Sequence, residues 1–541
     1  MHSEARYCTA YREQLAAFAA VSPSRALYSG SHLYDLCEFM TAKRTQSSEQ
    51  AGLVTLCDFG EAGAQTTPLS SPEQFRDLVS RGHFDATPSS VLFLQGRPTA
   101  QWLENLGQAF GISCEFFNRH LEYQAYAGQP NPCAYPPLPS QCASMLQFRI
   151  FTVIKCIVDV QDSDDGENLR KARAKHSEQL KAYQSRLRRR DGCRGASSGQ
   201  SVIRNSVLHD LQTMSVEQVV SAYVKSFNGG WISIVWSDVA NDLHEIVAAS
   251  WFGGSSRKNG CHMQTIPAIL VPPDDLSEVT PRSTGSPSHS SNCLGQNIAS
   301  LPFHCALGLD HKTARHDPFY ALSALFSSAS ASQLQYINML AQSTEQYLRK
   351  ARLAEESEIW IENLLMIQKL MHSVQGNMQE IEDSVQQQQW LPWPSIDTED
   401  FRLIKRVDEA KVKVTTDYKS LLRRTERIAA RCESGLHNTM SSLSIAESKK
   451  GIEQAGRVAQ LTRLAFVFVP LSFTTSFFGM NFQQLATGDL QIWVWFVISL
   501  PIVLLAMVYI SPPARKSLQK LRNKIGRLRS KGAPFKEDTV V

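Results

Sequence analysis

The stretch that decides the fold is residues 461–482, LTRLAFVFVPLSFTTSFFGMNF. It lies in an uncharged run, residues 464–488, and a second uncharged run follows at residues 490–514. A helix rises about 1.5 Å per residue, so roughly 20 apolar residues cross the hydrocarbon core of a bilayer. We therefore predict two membrane-spanning helices, at residues 461–479 and 491–511. The alternative is a buried helical hairpin of a soluble protein.

The charges that flank these two helices predict their orientation. Four basic residues precede the first helix: Lys449, Lys450, Arg457 and Arg463. Residues 515–531 follow the second helix and contain eight Lys or Arg and no acid, whereas the connecting loop, residues 480–490, carries one charge, Asp489. Because Lys and Arg are enriched on the cytosolic side of membrane helices, we expect both termini in the cytosol. Residues 512–541 then form a basic cytosolic tail of a multi-pass protein, with the plasma membrane as the expected location.

The overall composition excludes several other classes of protein. The 541 residues include 55 basic and 51 acidic side chains, and the basic excess is confined to the tail, which argues against a nucleic-acid-binding surface. The 12 cysteines form no Cys-x-x-Cys pair, so a zinc ribbon is excluded. Phosphate-binding loops, His-Glu-x-x-His and kinase signatures do not occur. We therefore predict no enzymatic activity.

Residues 1–330 are predicted to form a cytosolic α/β domain. Apolar runs typical of strands occur at residues 52–57, 91–95, 148–158, 231–236 and 265–271, with amphipathic helical patterns between several of them. Two segments, at about 159–201 and 274–300, are interpreted as disordered insertions, because the first changes from acidic to basic and the second is rich in Ser, Pro and Gly. The predicted fold class is an α+β membrane protein.

The middle of the chain has helical periodicity. Residues 331–391 form a helical region that must end before Pro392 and Pro394, and a stalk helix is predicted at residues 397–460. No proline follows Pro394 until Pro470, so the stalk can continue into the first membrane helix. One heptad frame places Lys411 and eight other residues at a and d positions: Ile404, Val407, Val414, Tyr418, Leu421, Thr425, Ile428 and Cys432. A dimeric coiled coil is the alternative interpretation of this stripe.

The end of the first membrane helix carries a family resemblance. Gly479, Met480 and Asn481 close this helix, which contains Pro470, follows a long helix and precedes a second span and a basic tail. This arrangement resembles the CorA-type magnesium channel family, whose members end that helix in Tyr-Gly-Met-Asn. Phe478 stands in place of the tyrosine, and QQLATGD replaces the usual Met-Pro-Glu-Leu, as in a divergent, fungal CorA-like branch.

A weaker resemblance to the cytosolic part of the same family lies upstream. Residues 91–121, VLFLQGRPTAQWLENLGQAFGISCEFFNRHL, resemble a strand, a helix and a Phe-Gly turn of that family.

The resemblance implies a homo-oligomeric channel for Mg²⁺ or another divalent cation, formed by a ring of five chains. Such a channel needs no cofactor. A ring of Asn481 side chains would accept hydrogen bonds from the hydration shell of the ion, because Mg²⁺ gives up its water reluctantly. Gly479 would let the backbone leave the helix, as an ordinary helix C-cap also would, and Met480 would pack beside it.

Further residue roles follow from the same resemblance. An ungapped alignment back from Asn481 implies that four residues face the pore: Ser472, Val469, Leu461 and Val458. Ser472 would form a polar ring, and the other three would form apolar constrictions that stop ions by dewetting. Ordinary helix packing is the alternative. Asp489 would concentrate cations at the outer mouth, and candidates for sensing cytosolic Mg²⁺ are Asp408, Glu409 and Asp417.

Two other functions stay open at the level of sequence. The divergent loop and the long insertions are also compatible with a membrane-anchored helical scaffold that conducts nothing. The same fold could export zinc or another divalent ion, because hydrated divalent cations present similar water shells to Asn481.

Overall fold

The computed structural model describes most of the chain. The described residues are 11–22, 24, 26–41, 54–61, 63–86, 89–121, 138, 144–157, 166–188, 199–240, 242–243, 246–247, 251, 262–270, 297–353, 357–386, 393–394, 400–479, 491 and 493–510. The chain divides into two compact units, Met1–His437 and Asn438–Val541, which are described separately.

An eight-stranded sheet organises the first unit. Its strands are β1 Val54–Gly60, β2 Gly63–Leu69, β3 Ser89–Gln95, β4 Met145–Ile157, β5 Asn205–Leu208, β6 Thr213–Phe227, β7 Gly230–Ser237 and β8 His262–Ile266. They lie in the order β2-β1-β3-β7-β6-β4-β8, and β5 pairs with β6. The β3–β7 pair is parallel and the other pairs among the described strands are antiparallel. The five predicted runs all overlap strands, whereas β2, β5 and β6 are additional.

Helices cover both faces of this sheet. The helices before β4 are α1 Tyr11–Ala19, α2 Tyr34–Thr41, α3 Pro72–Ser80, α4 His83–Ala86, α5 Ala100–Phe110 and α6 Cys114–His120. Alternate residues of β3 point to opposite sides, so Leu92 and Leu94 pack with Trp102 of α5, whereas Val91 and Phe93 belong to the core on the other face. The N-terminal α/β interpretation is therefore confirmed as a three-layered arrangement.

The segment at 159–201 is not a wholly disordered insertion, as its composition suggested. Residues Gly166–Arg188 form a 23-residue helix, α7. Leu169, Tyr183 and Leu187 are buried, and Arg173 donates hydrogen bonds to the carbonyl oxygens of Leu208 and His209. The many charges lie mainly on the exposed side of an amphipathic helix, which composition alone cannot distinguish from disorder. Most of the second proposed insertion, residues 274–296 of 274–300, lies outside the described residues.

The second half of the first unit is helical. It begins with short helices, α8 Leu301–His304, α9 His311–His316 and α10 Pro318–Ala321. Long helices follow: α11 Ser323–Leu353, α12 Ser357–Gln386 and α13 Phe401–Gly479. The predicted helical region thus contains two helices that pack together, with Tyr347 of α11 against Trp360 of α12 at a ring distance of 5.7 Å.

The heptad stripe of α13 packs inside this helical bundle. Val407, Val414, Tyr418, Leu421, Thr425 and Cys432 are buried, Ile428 is half-buried, and Ile404 is exposed. Cys432 Sγ lies 3.3 Å from the carbonyl oxygen of Leu364 in α12, and Arg431 forms an ion pair with Glu345 in α11. The stripe is therefore covered by helices of its own chain and is not left open for the dimeric partner of the alternative interpretation.

The second unit contains the remainder of α13 and one further helix, α14 Trp493–Ile510. Among the described residues, one helix is long and apolar enough to cross a membrane, with its candidate range at Phe401–Ser476. A second apolar helix, Trp493–Leu505, is shorter over its described part. Proline occurs inside both helices, as Pro470 and Pro501.

Candidate functional site

The four residues expected to face a pore lie on one side of α13. At 3.6 residues per turn, Val458, Leu461, Val469 and Ser472 fall within about 80° of one another around the helix axis. All four are exposed, and Val458, Leu461 and Val469 expose 60%, 67% and 66% of their surface. We call this face the exposed stripe. Exposure alone does not single out this face, because Leu464 and Phe466, about 100° to either side of it, expose 55% and 49% of their surface. The pore-facing role of the four residues stays a prediction.

The opposite side of α13 contacts α14 through two hydroxyl groups. Thr474 lies about 180° from the centre of the exposed stripe. Its Oγ1 accepts a hydrogen bond from the Ser499 hydroxyl at 3.0 Å, and both side chains are buried. The exposed stripe therefore faces away from the second helix of the same chain.

The hydroxyl groups of α13 also bond to their own helix. Thr474 and Thr475 both donate to the carbonyl oxygen of Leu471, at 2.9 and 2.7 Å. Such bonds are common in membrane helices, where they satisfy polar groups close to a proline. These two threonines therefore bond within their own helix, whereas Ser472 is exposed on the stripe.

The signature tripeptide begins where α13 ends. Gly479 is the last residue of the helix. Met480, Asn481 and Asp489 lie outside the described residues, so their assignment to a selectivity loop and an outer mouth stays a prediction.

The candidate sensing carboxylates lie on the exposed side of α13 in the first unit. Asp408, Glu409 and Asp417 are all exposed, and Glu409 pairs with Lys405 at 3.8 Å. Partial burial raises the pKa of Asp417, although Lys413 opposes this shift. Within the described ranges, no group of three or more His, Cys, Asp or Glu side chains is arranged to hold a metal ion.

A polar network in the first unit escaped the sequence analysis. Ser221 of β6, His120 of α6 and Asp238 form a hydrogen-bonded row, with distances of 2.8 Å from Ser221 Oγ to His120 Nδ1 and 3.1 Å from His120 Nε2 to Asp238 Oδ1. Arg204 Nε donates to Asp238 Oδ2 at 2.6 Å. The row has the residue order of a nucleophilic triad, but its three side chains are 0–1% exposed. It is therefore a structural network, in which His120 bonds to residues 101 and 118 positions away, so no local sequence signal reveals it.

The electrostatics of this network follow from its burial. Burial lowers the pKa of His120 to about 4, although Asp238 acts in the opposite direction. The pKa of Asp238 is also lowered, because Arg204 and the His120 hydrogen bond outweigh the cost of burying a carboxylate. Neutral His120 thus donates from Nε2 to an ionised Asp238 and accepts the Ser221 proton at Nδ1.

Comparison with known proteins finds a similarity in the C-terminal part of the chain. Residues 304–511 match the family described as CorA-like Mg2+ transporter protein. This range contains the exposed stripe, the Thr474–Ser499 contact and the Gly-Met-Asn tripeptide, and the resemblance seen in the sequence is confirmed over it. The match covers 208 of the 541 residues, so it shows that this part of the chain is similar to the family. No curated protein matches the chain, and the fungal branch stays a prediction.

Proposed function

We propose that the protein is a passive, homo-oligomeric channel for Mg²⁺ or another divalent metal cation. Two membrane helices per chain are proposed, at residues 461–479 and 491–511, with both termini in the cytosol. Two helices cannot enclose an aqueous path by themselves, because protein must surround such a path on all sides to separate it from the lipid. A ring of identical chains, by resemblance five, would provide the enclosure.

The observation that supports this proposal is the orientation of the exposed stripe. Val458, Leu461, Val469 and Ser472 point away from the α14 contact at Thr474. In a ring whose outer layer is α14, this orientation directs the stripe to the central axis. The proposed span from residue 461 to residue 479 covers 18 residue steps, or about 27 Å of helix, which is close to the thickness of the hydrocarbon core, and Val458 lies about one turn before it.

The residue types along the stripe suit a hydrated cation. A narrow ring of Val469 or Leu461 side chains would lose its water when the helices approach each other, and this would block ions without a charged plug. Ser472 would provide a polar ring between Val469 and the outer end. Beyond Gly479, the Asn481 amide oxygens would accept hydrogen bonds from the hydration shell, and Asp489 would attract cations to the mouth.

The test is divalent flux through purified protein in liposomes. Asn481→Ala removes the proposed acceptor, so Mg²⁺ flux per assembled oligomer should be lost while the oligomer stays intact. Gln483→Ala, which removes an amide two residues further along the loop, is the matched control and should retain flux. Undiminished Mg²⁺ transport by Asn481→Ala would show that Asn481 is not the selectivity residue.

Transport by the unmutated protein distinguishes the proposed channel from the two alternative functions, the scaffold and the efflux protein. If it carries no divalent cation at any internal Mg²⁺ concentration, it is a membrane-anchored scaffold. If it carries Zn²⁺ in preference to Mg²⁺ and only outward under the corresponding gradient, the efflux function replaces the proposed one.

A further inference from the structure

The contact between α13 and α14 has an unusual composition. Of the α13 and α14 residues near this contact whose burial is described, Thr474 and Ser499 have buried side chains. Neighbouring apolar side chains are exposed instead: Phe473 exposes 69% and Leu500 61% of its surface. A hydroxyl group therefore faces a hydroxyl group between the two helices. In a bilayer, small side chains allow two helices to approach each other, and a hydrogen bond between them adds specificity that apolar contacts lack.

The direction of this hydrogen bond is determined by the local bonding of Thr474. The Thr474 proton is donated to the Leu471 carbonyl oxygen at 2.9 Å, so its Oγ1 presents lone pairs to α14. Ser499 donates to them at 3.0 Å. The bond therefore needs a hydroxyl at both positions, and removal of either one leaves the other without this partner.

Two prolines flank the contact. Pro470 lies four residues before Thr474, and Pro501 lies two residues after Ser499. A proline within a helix lacks the N–H that would bond to the preceding turn, so each helix is weakened there. The hydrogen bond between Thr474 and Ser499 lies near both prolines. Because this bond is directional, it fixes the rotation of one helix relative to the other there, whereas apolar contacts alone do not.

We infer that Thr474 and Ser499 are positioning residues that set the rotation of α13 about its axis and thereby keep Val469 and Ser472 facing away from α14. The inference rests on the proposed function in one respect, that the far side of α13 is the pore. Without the bond, α13 is free to rotate, and Val469 and Ser472 leave the axis. Selectivity between divalent and monovalent ions should then fall although neither hydroxyl contacts the ion.

The first experiment tests the contact without any reference to transport. Thr474→Cys combined with Ser499→Cys should form an intrachain disulfide when membranes are treated with copper phenanthroline as the oxidant. The native sequence has no cysteine after Cys432, so after cleavage between the two helices the C-terminal fragment carries only the cysteine introduced at position 499, and Ser499→Cys alone reveals any cross-link to the native cysteines. Thr475→Cys with Ser499→Cys is the matched control and should not cross-link, because Thr475 is exposed on another side of α13.

The second experiment tests the positioning role by a double-mutant cycle on ion selectivity in liposomes. Thr474→Val, Ser499→Ala and the double variant should each lower the ratio of Mg²⁺ to K⁺ flux per assembled oligomer by the same factor, between roughly threefold and twentyfold for a bond of this kind. The exchange Thr474→Ser with Ser499→Thr keeps a hydroxyl at both positions and should restore the ratio. Thr475→Val should leave it unchanged.

The outcomes separate this inference from the proposed function. The positioning role is wrong if the parent protein conducts Mg²⁺ and the variants either keep the parent's ratio of Mg²⁺ to K⁺ flux or lower this ratio additively. That result leaves the proposed channel function intact. A failed cross-link overturns the contact itself. A parent that cross-links but carries no divalent cation overturns the channel function, and the positioning role with it.

Discussion

At the scale of single residues, the buried His120 connects the stability of the first unit to pH. Burial holds its pKa at about 4, below the usual 6.5, so the unfolded chain binds a proton at a higher pH than the folded chain does. The stabilisation is complete above pH 6.5 and is lost as the pH falls toward 4. The lowered pKa of Asp238 acts in the same direction at more acidic pH.

We therefore expect the free energy of unfolding to fall by about 2 kcal/mol between pH 7 and pH 5 through His120 alone. Urea titration of the detergent-solubilised protein measures this difference, with the fluorescence of Trp236 as the signal, because its ring stacks on His120 at 4.0 Å. His120→Gln should flatten the pH dependence by that amount, and His304→Gln, at an exposed position, should not. An equal pH dependence in His120→Gln and the parent would contradict the assignment.

The same residues show the limit of sequence analysis at this scale. The Gly-Met-Asn tripeptide and the exposed stripe are local patterns, so they could be found without a structure. The bonds between His120 and Asp238, and between Thr474 and Ser499, join residues that are 118 and 25 positions apart. These bonds depend on the tertiary packing of strands and helices. The residues around a Ser or Thr in the sequence do not predict which distant side chain it will bond to.

At the scale of elements, Gly435 allows α13 to approach α11 closely. A Cβ atom at this position would overlap the side chain of Leu348 in α11. Gly435→Ala should therefore lower the free energy of unfolding by about 1–3 kcal/mol through overpacking. Gly376 in α12 has open space around its Cα, so Gly376→Ala is the matched control and should stabilise the bundle by up to about 1 kcal/mol. Urea titration compares the two, and equal effects would argue against a close approach of α13 to α11.

The exposed stripe of α13 carries the second prediction at this scale. If Val469 and Leu461 form a dewetted constriction, a serine at either position should wet it and raise the resting leak, by roughly tenfold for a barrier lowered by about 1.4 kcal/mol. Val467→Ser is the control, since Val467 lies about 160° from Val469 around the helix. Leak is measured as flux per assembled oligomer. If the substitutions lower only the amount of assembled protein, ordinary packing explains the stripe.

Strands and helices were predictable from the sequence where a single apolar pattern determines them. The uninterrupted run of residues 91–95 overlaps β3, and the heptad of α13 correctly identifies its buried side. The period of a pattern does not reveal which surface covers it, so the intrachain partners α11 and α12 were not foreseen. Strand β2, at the sheet edge, contains Pro68 and several polar residues, and α7 is highly charged. Neither segment has enough apolar residues to be distinguished from a loop by sequence alone.

At the scale of the whole molecule, the family match and the apolar helices support a membrane protein, and the proposed topology is the property that most directly constrains its function. Basic residues flank both proposed spans on one side, and the loop between them contains no Lys or Arg. Moving the basic tail across the membrane would oppose the positive-inside preference.

Reporters fused at residues 1 and 541 should therefore both be cytosolic, whereas Thr487→Cys should react with a membrane-impermeant thiol reagent added from outside. The native cysteines end at Cys432, which lies before the first proposed span, so an external reagent should label the variant and not the parent in intact cells. Ser517→Cys, in the basic tail, is the matched control and should react only after the membrane is permeabilised. Labelling of Ser517→Cys in intact cells together with a cytosolic reporter at residue 1 would mean that only one of the two helices crosses the membrane. One span per chain would then leave the exposed stripe of α13 without an outer helix, and the channel arrangement proposed above would be wrong.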